Sequence, residues 1–172
     1  MSARLATLLA AVLLALAACG EPARSTTAPA PQAIADDTRC SQTGLRLADH
    51  AGPKGQLWLA GHGAPEFHVD TVQMFHFLLL PDPTREVLGA FVQDMAGQDW
   101  YAPAGPWIDA RNAWYVQGAT PIGPLGPTLV PFAERADAEA FATEHGGELL
   151  RFADIDPDRV PLDGGALHDA SM

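Results

Sequence analysis

Asp70-Thr71-Val72-Gln73-Met74-Phe75-His76-Phe77-Leu78-Leu79-Leu80-Pro81 sets out a helix with both of its ends marked. Asp70 is a good N-cap, and Gln73 three residues on gives an Asp/Gln version of the capping box. Pro81 disfavours helical backbone at the residue before it, so the helix has to stop near Leu80. Val72, Met74, Phe75, Phe77, Leu78, Leu79 and Leu80 leave little polar surface, which predicts a helix buried on most sides. His76 is its one titratable group and reads as an edge or core histidine.

Short extended runs flank this helix. Gln56-Leu57-Trp58-Leu59 and Phe67-His68-Val69 precede it, with turn residues from Gly61 to Glu66 between them, and Val87 to Asp94 follows it. The order then repeats. Trp107-Ile108-Asp109 and Ala113-Trp114-Tyr115-Val116 read as strands, Pro121 to Pro127 as a loop, and Thr128 to Phe132 as extended. Arg135 to Glu144 reads as a helix ended by Gly146-Gly147, and Leu149 to Phe152 as a closing strand. The expected fold is therefore α+β, with two consecutive ββαβ-type units, about 40–96 and 100–156, in one compact domain over 38–160. Residues 161–172 read as a loose tail.

The first 37 residues have a different character. Arg4 followed by an apolar run from Leu5 to Ala18 is too short to span a bilayer comfortably and reads as an export signal, residues 1–18. Leu16-Ala17-Ala18-Cys19 resembles a bacterial lipobox, which implies cleavage before Cys19 and acylation of that cysteine. Several acyl chains anchor stably, since each buried methylene contributes about 0.8 kcal/mol. Gly20 at the next position mildly favours the outer over the inner membrane. Residues 19–37 are then the lipidated cysteine and an Ala/Pro/Thr/Ser tether that cannot bury enough surface to order itself.

The chain has 172 residues, with 10 Lys+Arg, 21 Asp+Glu and two Cys. Removing 1–18 takes away Arg4 and no acid, leaving 9 basic against 21 acidic residues, a net −12. Nucleic acid is excluded as a partner, because phosphate-backbone affinity needs clustered Lys and Arg. With Cys19 committed to lipid, one thiol remains at Cys40, which excludes a disulfide framework and an all-cysteine zinc site. The flanks Asp36 to Arg39 and Ser41 to Gly44 are polar and argue against burial of Cys40. No Gly-x-Ser-x-Gly elbow, phosphate loop or His-Glu-x-x-His pair occurs, so the sequence reads as non-enzymatic. The chemistry left is that of soft ligands: Cys40, the thioethers Met74 and Met95, and His50, His62, His68, His76 and His145. Thiolate and thioether select Cu(I) over hard cations. Asp94 beside Met95 offers a place for a second, harder divalent cation, or simply faces water.

Cys40-Ser41-Gln42-Thr43-Gly44-Leu45 and Asp49-His50-Ala51-Gly52-Pro53-Lys54-Gly55-Gln56 resemble the signature of the NosL family, copper-binding lipoproteins accessory to nitrous oxide reductase assembly. Matches continue through Asp70 to Phe75, Val92-Gln93-Asp94-Met95, Trp107 to Ala110, Gly126-Pro127-Thr128, Pro131-Phe132-Ala133 and His145 to Phe152. The resemblance implies two ββαβ-type units and a periplasmic Cu(I) chaperone that serves denitrification by loading nitrous oxide reductase or its maturation complex. It implies a metal site drawn from Cys40, Met95 and Met74, completed by His50 or His68. Family members commonly carry sulfur where this chain has Leu45, Val69 and Leu125. That departure leaves a second expectation open, a metal-free docking lipoprotein of the same pathway.

Overall fold

A computed structural model describes residues 29–162. The signal segment, Cys19 and most of the tail lie outside the described residues. Strands β1 (Gly55–Leu59), β2 (Glu66–His68), β3 (Val87–Gln93) and β4 (Trp107–Asp109) form an antiparallel sheet in the order β2-β1-β3-β4. Strands β5 (Trp114–Gln117), β6 (Leu129–Phe132) and β7 (Glu148–Arg151) form a second antiparallel sheet in the order β6-β5-β7. Helix α1 (Thr71–Leu79) connects β2 to β3, and α2 (Arg135–His145) connects β6 to β7.

Each unit thus has one plan: the first strand is central, the second pairs on one side, and the strand after the helix pairs on the other. The exception is β4. Expected to open the second unit, it pairs with β3 and extends the first sheet. Asp109 explains the switch, because its carboxylate accepts the Arg111 N–H at 2.7 Å and turns the chain within a few residues, while buried Ala110 stays bonded to Ala90.

Gly55 faces the same side of the sheet as its register partners His68 and Val92, the side covered by α1. Leu57, Ala90 and Val92 meet Met74 and Phe75 there, and the cluster continues into the second unit through Tyr115, Leu129 and Leu150. Phe75 stands edge-on to Tyr115 with ring centroids 5.1 Å apart. One core therefore joins both units. Gly55 is required by close approach, since a Cβ there would lie 2.6 Å from the Met74 sulfur. Gly55→Ala is expected to cost about 1–3 kcal/mol by overpacking, read as a lower urea midpoint with unchanged slope.

Part of the expected tether belongs to the fold. Gln32 exchanges two hydrogen bonds with the Gln56 carboxamide, at 2.9 and 3.0 Å, and Ile34 packs against the Cys40 cluster. The polar side chain of Gln56, on a buried strand, supplies the anchor that composition alone did not reveal. Among the described residues no helix is long and apolar enough to cross a membrane.

Candidate metal site

Cys40 lies on a small hairpin against the free edge of β2. Arg39 and Arg46 pair, Cys40 N–H donates to Leu45 O at 2.8 Å, and Ser41 N–H donates to Phe67 O at 2.8 Å. Gly44, at φ +72°, makes the turn. The polar residues Ser41 to Gly44 are exposed, but the Cys40 side chain points inward and is only 2% exposed. Burial was the less expected outcome from its flanks; the hairpin reconciles them by sending neighbours and thiol in opposite directions.

Cys40 packs with Leu47, Phe67 and Val69, and Ile34, Leu45, Trp107 and Leu125 close around them. Leu45, Val69 and Leu125, the positions where the family resemblance implies sulfur, all gather at this thiol. On its polar side the thiol donates to Gln73 Oε1 at 3.0 Å. Gln73 therefore does not reach back to close the expected capping box. Asp70 alone caps α1, accepting the Val72 N–H at 3.0 Å.

His68 also borders Gln73. It is fully buried, lies 5.9 Å from the Phe77 ring, and neither of its ring nitrogens has a hydrogen-bond partner of normal geometry. Burial pushes its pKa down to about 4, with the Gln73 side chain acting in the opposite direction. At neutral pH it is an uncharged imidazole with unused nitrogens. Buried polar atoms are nearly always paired, so a bound metal would supply what this ring lacks.

The remaining expected ligands stand elsewhere. Met74 has no exposed surface, and its sulfur abuts Gly55 in the main core. Met95 belongs to a separate cluster with Val116, Val130, Phe132 and Ala138 beneath α2. His50 is half-buried on the wall of a 550 Å³ pocket shared with Lys54 and Gln93. The structure thus brings Cys40 and His68 to the same Gln73 side chain and does not bring the two thioethers to the thiol. Among the described residues no three His, Cys, Asp or Glu side chains cluster in metal-binding geometry. Asp94 Oδ1 accepts from Ala96 N–H at 3.1 Å and Ala133 N–H at 3.3 Å, which ties two loops together.

Nothing in the sequence marks Lys54, Gln73 or Asp70 as part of the site. Lys54 is buried, its ammonium donating to the carbonyls of His50, Ala51 and Gly52 at 2.8, 2.9 and 2.5 Å. Burial holds its pKa down at about 8, with the Asp70 charge opposing. The Asp49–Gln56 motif therefore encodes mainly a self-bonded turn. Asp70 accepts from the Thr128 hydroxyl, and its Oδ2 lies where a Cβ on Gly123 would be, 2.0 Å away. It joins α1 to the loop that carries Leu125 over the thiol.

Burial raises Asp70 to about 6 from an ordinary 3.8, so its ionisation weakens the fold as pH climbs from about 4 to 6. His68, lowered from 6.5 to about 4, works the other way, because its protonation on acidification opposes folding. The two slopes offset one another in the wild type. Asp70→Asn, which retains a capping side chain, should gain stability steadily between pH 4 and 6.5 relative to wild type, measured by urea midpoints. A difference that stays constant across that window would show that Asp70 does not titrate there.

Fold and donor set together define a class: a two-unit α+β domain whose candidate ligands are one buried thiol and one buried imidazole, a pairing suited to a soft cation. The NosL family model matches residues 31–160. The chain belongs to the NosL family. It is 36% identical to the copper-binding lipoprotein NosL of Stutzerimonas stutzeri over 168 residues, covering 94% of this chain and 87% of that one. The copper-binding lipoprotein NosL of Achromobacter cycloclastes is 36% identical over 152 residues, covering 86% and 78%. The crystal structure of the copper chaperone NosL from Shewanella denitrificans superposes with a TM-score of 0.69 at 34% identity, covering 75% of this chain and 97% of that one.

Proposed function

We propose that this protein is a lipid-anchored carrier of Cu(I) that binds through Cys40 and delivers copper for maturation of the nitrous oxide reductase copper centres on the periplasmic side of the membrane. The observation that carries this reading is the meeting at Gln73: the Cys40 thiol donates to its carboxamide, the unpartnered His68 borders the same side chain, and Leu45, Val69 and Leu125 close around the thiol. The names of the relatives supply the metal. Cys40 is the thiolate ligand and His68 the second donor, reached when Gln73 turns aside. The thiol proton leaves as the metal enters, and the coordination number stays low. An incoming donor can then attack before the old ones depart, which makes release possible without a catalysed reaction. Cys19 anchors the domain through its acyl chains.

A metal-free docking role is favoured by one observation, the apolar side chains at the three positions around Cys40. Both readings are separable in cells. With Cys40→Ser at normal expression, the carrier reading expects nitrous oxide reductase purified from that strain to be poor in copper. Full copper content in the reductase would support docking alone.

A further inference from the structure

Met95, separated from the Cys40 cluster, has a different neighbour. It lines a 340 Å³ cleft together with His145, Trp100, Phe141 and the acidic side chains Asp137 and Glu144. The two donors come from different units, Met95 from the segment after β3 and His145 from the last turn of α2. Both stand on fixed backbone. Met95 N–H donates to Pro131 O at 2.9 Å and its carbonyl accepts from Gln98; the His145 carbonyl accepts from Thr120 N–H at 2.9 Å and from the Thr120 hydroxyl at 2.7 Å. The imidazole rests against Phe141 with centroids 4.5 Å apart, and its Nε2 lies 3.8 Å from a Glu144 carboxylate oxygen.

We propose that Met95 and His145 form a second, shallower site for a soft monovalent cation, Cu(I) in the cell, independent of Cys40. A thioether and an imidazole are neutral donors suited to a polarisable d10 ion. Asp137 and Glu144 at the rim supply negative charge that draws the cation in without ligating it as a hard ion would require. Met95 is 5% exposed, but the side chain of His145 is about one-third exposed, so copper at this cleft is reached from solution through His145, whereas the thiol of Cys40 is buried.

The test uses Cys40→Ser protein labelled with 13C at its methionine methyls and titrated with Ag(I), a redox-inert stand-in for Cu(I). The expected result is one equivalent bound, with the Met95 methyl resonance shifting and that of Met74 staying in place. Met95→Leu conserves volume, and it and His145→Gln should each weaken this binding by at least tenfold. A Met95 methyl that does not move at saturating Ag(I), or affinity unchanged in both variants, would overturn the proposal. In Met95→Leu protein with Cys40 intact, one equivalent of Cu(I) should still bind with the near-ultraviolet absorption of a copper thiolate. Loss of that absorption would count against the Cys40 site and leave the cleft result standing.

Discussion

Cys40→Ser is expected to lower Cu(I) affinity by more than the roughly 100-fold that loss of an outer-shell partner costs at a metal site. The thiolate is the one anionic soft donor in the described fold, and serine replaces it with a hard, protonated oxygen. Folding should survive, because the serine hydroxyl can donate to Gln73 Oε1 as the thiol does. Competition against a chromophoric Cu(I) chelator measures the change at the first bound equivalent. Affinity within a few-fold of wild type would remove Cys40 from the site.

Leu125→Met should act in the opposite direction, tightening Cu(I) by at least about tenfold, ~1.4 kcal/mol. Leu125 packs at once against the main core and the Cys40 cluster, so a thioether of similar volume would stand beside the thiol without repacking either. Leu45 and Val69 touch the same cluster from the hairpin and from the end of β2. The wild type is thus a sulfur-poor version of a pocket whose shape is intact, which predicts weaker and faster-exchanging copper than a thioether-rich relative would show. The same competition assay reads the Leu125→Met gain. An unchanged affinity would mean that Leu125 caps the pocket without facing the metal.

Much of the fold was legible because its signals are local. The Asp70 cap, the Pro81 stop and the extended run Gln56–Leu59 place α1 and β1 within a residue or so of where they lie. The β4 pairing was not legible, since three residues carry no mark of which sheet they will join and the choice depends on the Asp109 turn. The site divides similarly. Cys40 and His68 were readable as candidate donors from residue type, but spacing in sequence could not show that Met74 and Met95 turn into two other clusters. Gln73 fits a capping motif in the sequence, while its buried bond to a thiol 33 residues away exists only in three dimensions. Lys54 was hidden for the converse reason, a charged residue in a glycine-proline turn being ordinarily a solvent residue, whereas here three carbonyls enclose its ammonium.

X-ray absorption at the copper edge, on wild-type protein loaded anaerobically with one equivalent of Cu(I), reads out whether Cys40 and His68 hold the metal. The predicted first shell holds one sulfur, from Cys40, and one imidazole nitrogen that disappears in His68→Gln. A shell without sulfur, or one whose nitrogen persists in His68→Gln, would contradict it.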